Sequence, residues 1–168
     1  TGSLMRRSLW VVLALVACKG GDAREQHRRY LESASDKLKV EGARGLAKKA
    51  DRDDVLLIAR VARASKQEVR TQLVEALGDT PGDAATDPLG ELAVTDTSDS
   101  VRAVATQLLL RRNEPKANAW LARAFQSGGP KARAAFAQVD PVRLAGVVAA
   151  DGAFRFAEAL RRVDPPEG

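Results

Sequence analysis

The segment DSVRAVATQLLL, at positions 99–110, decides the fold of this chain. Its apolar residues recur at intervals of four and then three, which places them on one face of a helix. These residues are Val101, Ala105, Leu108 and Leu109. A helix with a single apolar face must bury that face against another element, so the segment predicts a helix packed into a helical core.

The same pattern occurs three times along the chain. Val69-Arg70 precedes Val101-Arg102 by 32 residues, and Ala132-Arg133 follows that pair by 31 residues. Each of the other copies continues with apolar residues at helical spacing: Val69, Leu73, Ala76 and Leu77 in the first, and Ala132, Phe136 and Val139 in the third. Self-similarity at such a period is typical of proteins built from stacked repeats.

A shorter apolar helix is predicted before each copy, at residues 55–61, 89–94 and 119–125. Proline and glycine separate the helices at 80–83, 128–130 and 140–141. We expect the acidic groups at 51–54 and 96–99 to cap helix N-termini, and either Thr86 or Asp87 to do so before Pro88. No segment alternates with period two for long enough to predict a strand. The unit is therefore a helical hairpin, and the fold class is all-α.

The repeat resembles the HEAT repeats of the short, lyase-type class. The resemblance depends on an acidic residue just before Val-Arg and on an alanine a few positions later, in segments 68–77 and 99–109. It implies a short right-handed α-solenoid of HEAT-like helical hairpins over residues 51–163. We expect residues 25–50 to form an N-terminal helical cap and residues 164–168 to form a disordered tail.

The N-terminal residues predict export and lipidation. Two arginines precede nine apolar residues at 9–17, far fewer than the roughly 20 that a membrane-spanning helix needs. The tetrapeptide Leu15-Val16-Ala17-Cys18 closely resembles the lipobox of bacterial lipoproteins. That resemblance implies a leader and signal peptide at 1–17 and a lipidated tether at 18–24. It also implies that Cys18 carries covalent diacylglycerol and an N-acyl chain.

Lipidation predicts a location in the bacterial cell envelope. Two or three acyl chains hold a protein on a membrane, whereas one chain does so only marginally. Because Lys19 is not the aspartate associated with retention at the inner membrane, the outer membrane is favoured, with the protein facing the periplasm. Cys18 is the only cysteine, so the chain cannot form an internal disulfide.

The inventory of reactive side chains argues against an enzyme. His27 is the only histidine and lies in a basic stretch, so we expect it on a solvated helix face. The acidic group at 51–54 lacks the glycine and the closing glutamate of a calcium loop, so no metal site is predicted. Without Arg6 and Arg7 of the predicted signal peptide, the net charge of +5 falls to about +3, a mild excess that does not favour nucleic acid as a partner. We expect neither a small-molecule substrate nor a cofactor other than the lipid.

The candidate binding residues are Arg70, Arg102, Arg133 and Trp120. The three arginines occupy equivalent positions and so form a row along the stack. The resemblance implies that such a row bridges neighbouring repeats by binding turn aspartates and backbone carbonyls. Trp120 packs in the core or, if its ring faces outward, anchors a partner, because interface hot spots favour tryptophan.

The sequence thus predicts a non-catalytic adaptor or scaffold that binds envelope proteins and is anchored to the membrane by lipid. The alternative is that the arginine row binds an anionic cell-wall or lipid ligand, since guanidinium groups bind phosphate and carboxylate by paired hydrogen bonds. Its basic neighbours would be Lys116, Arg123 and Lys131. Strong loss of binding with added salt would favour this alternative.

Overall fold

The computed structural model describes residues 23–112, 114–127, 129–131, 134, 142, 145–147 and 149. Within these residues the chain is helical and contains no strand. The helices between residues 23 and 127 are α1 (23–31), α2 (Asp36–Ala47), α3 (Arg52–Ala64), α4 (Gln67–Gly78), α5 (Thr86–Thr95), α6 (Asp99–Arg112) and α7 (Pro115–Ser127).

The helices pair as hairpins and stack in two layers. α3 packs against α4, and α5 packs against α6, to form the hairpins. Between hairpins, α2 contacts α4 and α4 contacts α6, while α5 contacts α7. We call α1, α3, α5 and α7 the odd layer, and α2, α4 and α6 the even layer. This arrangement confirms the predicted all-α stack of helical hairpins.

The core lies between the two layers and contains the predicted apolar faces. In the first two copies of the pattern every predicted core residue is buried: Val69, Leu73, Ala76, Leu77, Val101, Ala105, Leu108 and Leu109. The helices predicted at 55–61, 89–94 and 119–125 are α3, α5 and α7. Ala132, Phe136 and Val139 of the third copy lie outside the described residues.

The start of α3 agrees with its predicted capping, but the start of α5 does not. Asp51 and Asp54 form a capping box in which each carboxylate accepts the backbone N–H of the other residue. α5 begins at Thr86 with Ala85 as N-cap and without a side-chain cap, so the prediction for Thr86 or Asp87 was wrong. Pro88 is tolerated in the first turn because the first amides of a helix have no partner within it.

Two glycines allow α1 to approach α2 closely. A Cβ atom at Gly42 would lie 2.5 Å from the backbone oxygen of His27, and one at Gly45 would overlap the His27 ring. Gly42 and Gly45 are three residues apart and so share a helix face. The segment 23–47 therefore folds as a hairpin in which backbone replaces side chains at the contact.

None of the helices in the described part of the chain combines the length and the apolar character needed to cross a bilayer.

Candidate functional site

Arg70 joins the α3–α4 hairpin to the turn between α5 and α6. Its Nη1 donates to the backbone oxygen of Ser65 at 3.1 Å. Its Nε lies 3.0 Å from Oδ2 of Asp96, close enough for an ion pair but without the alignment of a hydrogen bond. The two side chains are only 15% and 5% exposed. Arg70 is therefore committed to a mostly buried contact between hairpins.

Arg102 binds the same turn from the next hairpin. Its Nη1 donates to the backbone oxygen of Asp96, and its Nη2 donates to Oδ1 of Asp99 at 3.2 Å. Oδ2 of Asp99 in turn accepts the backbone N–H of Lys131 at 3.1 Å. Both described members of the arginine row thus contact a turn aspartate and a backbone carbonyl. Arg133 lies outside the described residues, and a partner-binding role for the row stays a prediction.

Trp120 is half-buried in the contact between α5 and α7. Its Nε1 donates to Oδ1 of Asp87 at 3.0 Å, and its ring packs where Gly90 has no side chain. The guanidinium carbon of Arg123 lies 5.0 Å from the ring centroid, within the range of a cation–π contact. The ring therefore stabilises the stack, and a role for Trp120 in partner binding stays a prediction.

Lys116 binds the same aspartate one helical turn away from Trp120. Its Nζ lies 2.6 Å from Oδ2 of Asp87. The hydrogen bond from Lys116, and then the one from Trp120, hold the pKa of the Asp87 carboxyl below its usual range. The basic neighbour proposed for an anionic ligand is thus already paired with a carboxylate.

A buried carboxylate that the sequence reasoning missed joins α1 to α3. Asp54 is fully buried and accepts from Nε of Arg28 at 2.7 Å and from Nη2 of Arg24 at 2.6 Å. Arg24 also donates to Asp51. The pKa of the Asp51 carboxyl is lowered, first by the backbone N–H of Asp54 and then by Arg24. The available signal was the spacing of Arg24 and Arg28, which puts both cations on one helix face.

Arg112 is a second residue that the sequence reasoning missed. Its side chain is 7% exposed and binds the C-terminal end of α4. Nη2 donates to the backbone oxygens of Leu77 at 3.2 Å and Thr80 at 2.9 Å, and Nη1 donates to that of Gly82. Burial lowers the pKa of Arg112. The guanidinium thus binds carbonyls at and just beyond the C-terminal end of α4, where the negative end of the helix dipole favours a cation.

An open groove of about 730 Å³ lies between α1, α2 and α4. It is lined by His27, Asp36, Lys37, Val40, Glu41, Arg44, Gly45, Val69 and Gln72. His27 was predicted on a solvated helix face; its side chain is half-buried, because its ring lies over Gly45, where α2 presents no side chain. The ring also contacts Tyr30 edge to face, with centroids 6.2 Å apart.

The charged side chains of the groove are largely unused by the fold. In the described part of the chain no ion pair engages Lys37, Glu41 or Arg44. Arg44 makes one long hydrogen bond, from Nη2 to Oε1 of Gln72 at 3.4 Å. Asp36 is the exception, because its carboxylate lies 3.6 Å from Nζ of Lys39. The groove therefore offers charges of both signs to a partner.

Among the described residues, no three His, Cys, Asp or Glu side chains are grouped so that they could hold a metal ion.

Comparison with known families identifies the repeats. A family model described as HEAT repeats matches residues 28–110, from within α1 to near the end of α6. No curated protein and no solved structure matches the chain. A solenoid of HEAT repeats is typically a non-catalytic scaffold that mediates contacts between proteins. The hairpins within residues 28–110 thus match HEAT repeats, and the packing of the described helices is consistent with a HEAT-like α-solenoid.

Proposed function

We propose that this protein is a bacterial lipoprotein that acts as a non-catalytic adaptor or scaffold for other proteins of the cell envelope. The HEAT-like stack supports the protein-binding part, because stacked hairpins present an extended surface. The observation that carries the proposal is the groove between α1, α2 and α4, in which Lys37, Glu41 and Arg44 are exposed and have no ion pair among the described residues.

The membrane anchor in this proposal rests on the sequence Leu15-Val16-Ala17-Cys18. Acyl chains on Cys18 would confine the protein to two dimensions and raise its effective concentration near partners. Helix α1 is described from residue 23, five residues after Cys18. Five extended residues span at most about 18 Å, so the stack would lie close to the membrane. The outer membrane, facing the periplasm, is the proposed location.

Internal contacts weigh against the anionic-ligand alternative. Arg70 and Arg102 are only 15% and 18% exposed, and both bind acceptors within the stack. A phosphate or carboxylate from outside would have to displace those acceptors before it could bind. Protein binding through surfaces other than the arginine row is therefore the preferred function.

In-cell cross-linking with affinity capture and mass spectrometry tests the proposal. The native chain is compared with Cys18→Ser, which cannot be acylated. We expect a defined envelope protein to be captured by the native chain and not by the variant. Equal capture by both forms would contradict the lipoprotein assignment. Capture of polymer or lipid without protein would favour the anionic-ligand alternative.

A further inference from the structure

Three charged side chains of α2 differ from those that join hairpins in the odd layer. In the odd layer, ion pairs join neighbouring hairpins: Arg60 lies 3.7 Å from Glu32, and Arg63 pairs with Glu91. In the even layer, Lys37, Glu41 and Arg44 are exposed and have no ion pair among the described residues. These charges of the odd layer thus hold the stack together, whereas Lys37, Glu41 and Arg44 of α2 are available to a partner.

The available charges of α2 surround an apolar floor. Val40 and Val69 line the groove and are 8% and 7% exposed, so each presents a small apolar area to a ligand. Arg44 stands at the border of that floor. Its bond to Gln72 directs the guanidinium toward α4, and most of its five N–H donors remain free. A guanidinium with free donors matches the planar geometry of a carboxylate.

We propose that this groove binds a polypeptide segment of a partner, with a carboxylate of the segment paired to Arg44. An apolar side chain next to that acidic residue covers Val40 and Val69, and a basic side chain pairs with Glu41. The proposal rests on the adaptor function and names the chemistry of its partner.

The mixed sign of the groove favours a polypeptide over a polyanion. A lipid headgroup surface or a cell-wall phosphate would also pair with Arg44 and Lys37. However, Glu41 and Asp36 line the same groove and would repel a ligand that carries only negative charge. The apolar floor would contribute nothing to such a ligand, whereas a peptide side chain gains by burial there.

Selection from a displayed peptide library tests the proposal. The target is the full chain carrying Cys18→Ser, and the same chain with Arg44→Glu in addition. We expect the first target to enrich peptides with an acidic residue beside an apolar one. The second target should enrich a basic residue in place of the acidic one, because the charge it must pair with is inverted. Lys48→Glu is the matched control, since it removes a cation from the same end of α2 outside the groove lining.

The affinity of one enriched peptide for wild type and for two variants makes the test quantitative. We expect Arg44→Gln to weaken binding about tenfold, as for loss of a hydrogen bond to a charged group, and Lys48→Gln to leave it unchanged. Gln at position 44 keeps the side chain nearly as long, and thermal melting establishes that both variants are folded. Enrichment without an acidic residue, or the same peptides on wild type and Arg44→Glu, would overturn the proposal.

Two further outcomes would contradict the groove proposal without contradicting the adaptor function. If phosphatidylglycerol vesicles bind the chain and Arg44→Glu and Lys48→Glu weaken that binding equally, the groove proposal fails in favour of a diffuse lipid contact. If Arg44→Glu captures the same envelope protein in cells as wild type, the adaptor function stands and the groove is not its site.

Discussion

Two junctions, by which we mean contacts between neighbouring helices of the odd layer, have the same arrangement of side chains but differ in burial. In each, two side chains four residues apart on one helix hold an aspartate near the N-terminus of a neighbouring helix. Arg24 and Arg28 of α1 hold Asp54, which is fully buried. Lys116 and Trp120 of α7 hold Asp87, whose side chain is 48% exposed. Water can replace a lost partner at Asp87 but not at Asp54. Removal of a partner should therefore lower the stability more at the Asp54 junction than at the Asp87 junction.

Removing both arginines should break the buried junction and produce the largest effect. Arg24→Gln with Arg28→Gln leaves the Asp54 carboxylate buried without a cation, which we expect to lower the free energy of unfolding by about 3 kcal/mol. Urea denaturation measures this change. Arg29→Gln is the control, because Arg29 pairs with Glu25 at 3.5 Å on the surface, and its loss should cost less than about 1 kcal/mol. Equal effects of the two changes would contradict the role of burial.

Trp120→Phe should affect the exposed junction less. It keeps an aromatic ring over Gly90 and removes the hydrogen bond from Nε1 to Asp87, which we expect to cost about 1 kcal/mol. A double-mutant cycle with Asp87→Ala isolates this bond, since Trp120→Phe should cost less once its acceptor is absent. A cost above that of the arginine pair would reverse the order of the two junctions.

The smallest expected effect is a difference between wild type and Lys116→Gln in the stability that is lost in acid. The pKa of Asp87 is below its ordinary value of 3.8 in the folded chain, with Lys116 as the largest cause. A lowered folded pKa contributes stability above pH 3.8, and that contribution is lost as the pH falls through the folded value. Lys116→Gln should therefore lose less stability than wild type as the pH falls from about 5 to below 3.8. Parallel pH profiles of the two proteins, measured by urea denaturation, would exclude this contribution from Lys116.

The hairpins could be predicted because their signal is local. The intervals of four and three at Val69, Leu73 and Ala76 repeat near Val101, and a helical period depends only on near neighbours in the chain. The bridge from Arg70 to Asp96 of the next hairpin was also expected, from the resemblance to HEAT repeats. Arg102 differs, because its side chain binds Asp96 and Asp99 within its own hairpin.

The junctions and the groove could not be predicted in the same way. Arg28 and Asp54 are 26 residues apart, so their pairing depends on how two hairpins stack. Asp54 was predicted to cap a helix, which it does, but capping alone gave no indication of its burial. The position of His27 follows from the glycines at 42 and 45, whose spacing on one helix face was the available indication of a close helix contact.

Because Arg112 binds the end of α4, the segment that matches HEAT repeats is shorter than the segment that includes the hydrogen-bond donors to that helix end. The match to HEAT repeats ends at residue 110, whereas the guanidinium that completes α4 stands two residues later. A fragment cut at residue 110 would remove the guanidinium that donates to the carbonyls of Thr80 and Gly82, and one of the donors to the carbonyl of Leu77. Duplication or transplantation of these repeats would therefore succeed best with segments that extend through Arg112, because the end of α4 is completed by a residue of the following hairpin.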